Sequence, residues 1–124
     1  MKYKTINWLE LDQYVTKLAE KIKKERIGYF TGVYGLPRGG LVPAVMLSHR
    51  LNLPLLMAPC EGCLVVDDIA DTGTTLQHYR EKGWEIAVIW YKPQSKVVPD
   101  FYAVKETRKK MGWIVFPWEV PPKE

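Results

Sequence analysis

The chain has 124 residues, enough for one domain with a real core and too few for an enzyme elaborated by long insertions. Its 47% hydrophobic and 26% charged content is ordinary for a globular protein, and no apolar run nears the roughly 20 residues needed to cross a bilayer, so a membrane partner is excluded. A net charge of +4, from 18 basic and 14 acidic residues, suits an anionic small molecule and falls well short of a nucleic-acid footprint. The opening MKYKTINWLELDQ turns acidic and amphipathic before any signal-peptide core could form, which points to a cytoplasmic protein.

In chain order, Asn7 is placed to cap a helix whose apolar positions Trp8, Leu11, Val15, Leu18 and Ile22 recur at helical spacing and which ends on Lys23 and Lys24. Tyr29 to Tyr34 has strand character and runs into Gly35-Leu36-Pro37-Arg38-Gly39-Gly40, a stretch too rich in glycine for regular structure and therefore a tight loop. Leu41 to Leu51 reads as a helix with Pro43 tolerated in its first turn. Leu53 to Met57 is a short strand, Cys63 to Val66 the central strand, Thr74 to Lys82 a helix and Glu85 to Tyr91 another strong strand. Beyond Lys92 prolines accumulate, with short strands expected at Phe101 to Val104 and Gly112 to Val115. Strands alternating with helices predict an α/β fold, an open, mostly parallel sheet flanked by helices, with the tail capping one end.

The stretch Cys63 to Leu76, CLVVDDIADTGTTL, carries the chemistry. Ligands of open α/β sheets sit at the carboxyl ends of the strands, where Asp67 and Asp68 would stand. The turn Asp71-Thr72-Gly73-Thr74-Thr75 offers backbone N–H groups, hydroxyls and a helix N-terminus, a cradle for a phosphate monoester. The two carboxylates cannot bind that phosphate but can accept hydrogen bonds from vicinal hydroxyls, so the expected occupant is a ribose 5-phosphate. A strand ending in two aspartates also fits a Walker B segment or a receiver-domain acidic pair. Neither G-x-x-x-x-G-K-[ST] nor G-x-G-x-x-G accompanies it, however. Arg38-Gly39-Gly40 is a second anion site in prospect, because glycines admit a pyrophosphate to the backbone and arginine supplies a planar charged fork. Cys60 and Cys63 are the only cysteines; lacking further ligands at zinc spacing, they read as a loop thiol and the first residue of a buried strand, with a redox pair as the alternative.

The acidic motif resembles the signature of the type I phosphoribosyltransferases, which use 5-phosphoribosyl 1-pyrophosphate (PRPP). With Arg38-Gly39-Gly40-Leu41-Val42-Pro43, Lys92-Pro93 and Trp113-Ile114-x-x-Pro117-Trp118-Glu119, the likeness extends over nearly the whole chain and is nearest to the bacterial xanthine-guanine phosphoribosyltransferases. The resemblance implies a single domain over residues 1–124, with a small C-terminal hood over about 92–120. It implies purine salvage: transfer of the phosphoribosyl group of PRPP to guanine, xanthine or hypoxanthine with release of pyrophosphate, Mg²⁺ as cofactor, and a homo-oligomer. Asp67, Asp68, Asp71, Thr72, Gly73, Thr74 and Thr75 would hold ribose and 5-phosphate, and Asp71 would act as the base. Pro37, Arg38, Gly39 and Gly40 would form the pyrophosphate loop, with a cis peptide between Pro37 and Arg38. Lys92 would meet the 6-oxo group, Trp113 would stack on the purine and carbonyls near Ile114 would accept from a 2-amino group. Asp68 is the expected metal contact, with Asp67 and Glu119 as further candidates. The sequence departs from the family in one respect: Met57 to Gly62 is far too short for the mobile loop that closes over PRPP. That departure makes a PRPP- or nucleotide-binding regulatory module the alternative function.

Overall fold

The computed structural model describes residues 3–26, 28–107 and 112–121. Strand β1 (Tyr3–Thr5) leads into helix α1 (Trp8–Arg26), then β2 (Val33–Gly35), α2 (Leu41–Leu51), β3 (Leu55–Leu56), β4 (Leu64–Ala70), α3 (Thr74–Glu81), β5 (Glu85–Tyr91), β6 (Phe101–Lys105) and β7 (Trp113–Val115). Five strands form an all-parallel sheet in the order β3-β2-β4-β5-β6. The α/β class and the flanked parallel sheet expected from the alternation of elements are therefore borne out.

Helix α1 starts where the sequence indicates. The Glu10 N–H donates to Asn7 Oδ1 at 2.8 Å and the Asn7 N–H donates back to Glu10 Oε1 at 3.1 Å, a reciprocal cap that satisfies two orphan donors. Leu11, Val15, Leu18, Ala19 and Ile22 are buried along one stripe of this helix. Together with α2 they cover one face of the sheet, meeting Val33, Leu64, Val66, Ala87 and Ile89. The opposite face, Val65, Ile86 and Val88, packs with Leu76 of α3 and Val97. Alternate residues of β4 and β5 thus point to opposite layers, as the period of two in a strand requires.

The elements differ from expectation in four main places, the first being β3, which keeps only Leu55–Leu56 of the expected Leu53 to Met57. β4 does not stop at Val66 but runs on to Ala70, because β5 pairs with it as far as Ala70↔Tyr91 while β2 ends opposite Val66. The acidic pair lies inside a strand whose one flank is open. β2 begins only at Val33, since the Tyr29 N–H turns back to Arg26 O and the Thr31 N–H is taken by Gly62 O. β1 was not anticipated at all. It pairs in parallel with β7, Tyr3↔Trp113 through Thr5↔Val115, forming a separate two-stranded ribbon. Ile6, Ile114 and Phe116 anchor that ribbon in the main core.

Candidate active site

Strand alternation sends the Asp67 side chain to the α3 layer and that of Asp68 to the α2 layer. Three clefts meet around them. The smallest, about 100 Å³, is lined by Asp67, Asp71, Thr72, Gly73, Thr74 and Thr75. A second, about 290 Å³, is lined by Asp68, Ile69, Asp71, Lys92, Trp113, Ile114, Phe116 and Glu119, among others. The third, about 560 Å³, lies between Arg38, Gly39, Asp68 and the segment Trp118 to Val120. Ile69 and Asp71 join the first to the second, and Asp68 and Glu119 join the second to the third.

The phosphate-type cradle has the features its sequence suggests. Gly73 caps α3 at φ +81°, a left-handed value that glycine adopts freely, and a Cβ there would lie 2.6 Å from Ser95 Oγ and 2.7 Å from Lys96 N. The turn after β5 is packed directly behind the cradle, with the Lys96 N–H on Thr72 O at 2.9 Å. α3 carries neither a side-chain cap nor an acid in its first turn, so the positive end of its dipole is left for an anion.

The two carboxylates are half-buried neighbours. Burial, and then the charge of Asp68, pushes the Asp67 carboxyl up to about 8, and burial raises Asp68 as well. Burial and mutual repulsion thus disfavour two full charges on the pair near neutrality. Each carboxylate accepts one backbone N–H, Asp68 N on Asp67 Oδ1 at 2.9 Å and Ile69 N on Asp68 Oδ1 at 2.8 Å. Among the described residues no three His, Cys, Asp or Glu side chains converge to cage an ion. An unneutralised acidic pair beside an open cleft nevertheless fits Mg²⁺, which is bound through one or two carboxylates together with substrate oxygens and water. Glu119 lines the clefts with Asp68, while its Oε1 accepts the Phe116 N–H at 2.8 Å.

The loop before α2 brings Arg38 and Gly39 to the widest cleft. The Pro37–Arg38 peptide is cis, as the resemblance implied. Gly39 has no room for a side chain, because a Cβ would overlap the Asp68 carboxylate. At the other end Lys92 is buried, its Nζ donating to Gly112 O at 2.7 Å and lying 3.9 Å from Glu106 Oε1. Trp113 is 57% exposed on the rim above it, whereas Phe116 is buried in the wall. Trp118 stacks on Phe116 with ring centres 5.0 Å apart and an interplanar angle of 11°. Its role is packing as well as lining.

Two contacts escaped the sequence reading. Gln94 Nε2 donates to Asp71 Oδ1 at 2.8 Å. Glu106 accepts from Trp90 Nε1 at 3.1 Å and faces the Lys92 ammonium, which fixes that charge at the back of the 290 Å³ cleft. Neither residue stands in a motif: Gln94 comes from the turn after β5, and Glu106 from the residue after β6, where the Glu106 N–H continues the pairing onto Tyr91 O.

A parallel sheet with a phosphate-type cradle, an acidic pair and a glycine loop converging at the carboxyl ends of its central strands defines a sugar-phosphate-binding α/β domain. The phosphoribosyl transferase domain family matches residues 57–124, and the chain belongs to that family, with the type I fold. The xanthine-guanine phosphoribosyltransferase of Gluconobacter oxydans is 26% identical over 148 aligned positions, covering 97% of this chain and 86% of that protein. That span exceeds 124 residues, so the relative carries residues with no counterpart here. The purine phosphoribosyltransferase of Pyrococcus horikoshii superposes with a TM-score of 0.82 at 33% identity, covering 100% of this chain and 98% of that one. The xanthine-guanine-hypoxanthine phosphoribosyltransferase of Helicobacter pylori shares the fold, with a TM-score of 0.79 at 20% identity. Among the described residues no helix is long and apolar enough to cross a membrane.

Proposed function

We propose that the chain is a purine phosphoribosyltransferase that moves the phosphoribosyl group of PRPP onto guanine, xanthine or hypoxanthine, working in the cytoplasm as a homo-oligomer in purine salvage. The observation that carries this is the continuity of the three clefts: a cradle of phosphate size, an acidic pair and a purine-sized slot share walls at Asp68, Ile69, Asp71 and Glu119. A PRPP sensor would need neither Asp71 at the junction nor a buried lysine beneath an exposed indole. The P. horikoshii protein supports the same reading, since almost nothing of either chain is left over in the superposition.

In this reading the 5-phosphate takes the N–H groups and hydroxyls of Thr72 to Thr75, replacing the contacts that Thr72 Oγ1 makes with the Thr74 hydroxyl and N–H, and the ribose hydroxyls donate to Asp67 and Asp68. Arg38 and the backbone at Gly39 receive the pyrophosphate; Pro37 has no N–H to add, and Gly40, expected in the same role, is buried with its N–H spent on Leu36 O at 2.8 Å. The purine lies against Trp113 with its 6-oxo group toward Lys92. That ammonium has three donors and spends one on Gly112 O, so it rewards an oxo acceptor and gives nothing to an amino group. As the purine nitrogen bonds to C1, the bond to pyrophosphate breaks and positive charge grows on the sugar, which the neighbouring carboxylates favour. Asp71, held by Gln94, takes the purine's proton. Mg²⁺, held by Asp68 with Asp67, would supply neutralisation of the pyrophosphate charge.

The test is a panel of purines incubated with PRPP and Mg²⁺, with nucleotide monophosphate separated chromatographically. Products are expected from 6-oxopurines and none from adenine. Equal use of adenine would overturn the assignment of Lys92, and no product from any base would overturn the transferase reading.

A further inference from the structure

Cys60, Glu61, Gly62 and Cys63 form a tight turn outside the clefts. The Cys63 N–H donates to Cys60 O at 3.1 Å and Gly62 sits at φ +79°, the left-handed value that the third position of a type II turn requires. Such a turn keeps its first and last Cα atoms within about 7 Å, the range that a disulfide spans. The turn is also held from outside. Thr31 N and Trp84 Nε1 each donate at 3.0 Å, to Gly62 O and Cys60 O, and Thr31 Oγ1 donates to Glu61 O at 3.1 Å. Both thiols are free, Cys60 exposed and Cys63 buried, and they are the chain's only cysteines. Two thiolates alone make half a zinc site, and among the described residues no further ligand joins them.

We propose that Cys60 and Cys63 are a reversible dithiol–disulfide pair that exchanges with low-molecular-weight disulfides, a modification site independent of the PRPP site. The exposed Cys60 loses its proton to solvent and attacks one sulfur of the small disulfide; a mixed disulfide forms and one small thiolate leaves. Cys63 then loses its proton and attacks Cys60 Sγ, closing the ring and expelling the second small thiolate. The protein's two thiols are oxidised and the small disulfide is reduced to two thiols. Burial pushes the Cys63 thiol up, which keeps it protonated and makes Cys60 the first to react. The bridge would sit on the connection that leads into β4, the strand that carries the acidic pair.

The experiment uses the whole chain, equilibrated with oxidised and reduced glutathione, quenched with an alkylating reagent in denaturant so that the buried Cys63 is also reached, and weighed intact. The unaltered protein should yield a form that has lost two hydrogens and takes up no alkyl group, and dithiothreitol should restore two alkylatable thiols. Cys63→Ser should stop at one glutathione adduct on Cys60, and Cys60→Ser should gain none, because its remaining thiol is buried. Two alkylated thiols in the unaltered chain after oxidising equilibration, or bridges formed only between chains, would overturn the proposal.

Discussion

Asp67 and Asp68 serve different clefts because neighbouring residues of a strand point to opposite faces, and β2 ends where they begin. The same placement half-buries two adjacent carboxylates, and burial with the charge of Asp68 favours the protonated form of Asp67 over that of an unfolded chain. An unfolded aspartate ionises near 3.8, while Asp67 is held up to about 8. Between those values the native state binds more protons, so its stability falls as pH rises through the window and levels off above it. Asp67→Asn should therefore flatten this slope and melt above the parent at pH values beyond 8, while losing PRPP binding. A constant difference in melting temperature between parent and variant at every pH would contradict the raised Asp67.

Gly39 and Gln94 act on the same carboxylates from outside. A methyl at Gly39 would displace the Asp68 carboxylate, so Gly39→Ala should weaken PRPP binding about tenfold by calorimetry while the far-ultraviolet circular dichroism stays that of the parent. Gln94→Ala frees the proposed base from its one side-chain partner. It should lower kcat about tenfold with PRPP affinity unchanged, a smaller loss than the roughly 10² to 10⁴ expected when general-base catalysis is removed by Asp71→Asn. Unaltered kcat in Gln94→Ala would show that Asp71 needs no positioning.

At the scale of elements, the purine wall depends on β5 and β6 running side by side. Trp90 on β5 and Glu106 just past β6 bracket Lys92, whose side chain, like that of Glu106, is nearly buried. Lys92→Met should leave Glu106 buried without its counter-charge, costing about 3 kcal/mol of stability, and should also remove the preference for 6-oxopurines. The double variant Lys92→Met with Glu106→Gln should regain much of the stability and none of the preference. Thermal melts alongside the purine panel separate the two effects.

How legible these elements were depended on the range of their contacts. Residues 63–76 could be read because strand, acid pair, cradle and helix cap follow one another along the chain, each residue acting on near neighbours. The Asn7 cap was legible for the same reason. β1 was not, because three half-exposed residues carry almost no alternation and their partner, β7, lies at the far end of the sequence. Gln94 and Glu106 stayed hidden likewise, since their importance comes from a turn and a parallel crossing that no local pattern announces. The length of β4 is not legible either, because its extension depends on β5, whose register no residue of β4 reveals.

For the molecule as a whole, the short connection between β3 and β4 bears most on the proposed reaction. The residues proposed to hold PRPP gather at the carboxyl ends of the central strands, and the connection from Met57 to Gly62 is too short to close over them. The segment from Trp118 to Val120 borders the widest cleft without enclosing it, so transfer should be slow and accompanied by some hydrolysis. The most direct measurement is pyrophosphate release from PRPP at saturating Mg²⁺, with and without guanine. A slow release without base that rises several-fold when guanine is added, matched by guanosine monophosphate formed, is the expected result; release that guanine leaves unchanged, or no release although PRPP binds, would contradict base-coupled transfer at this site.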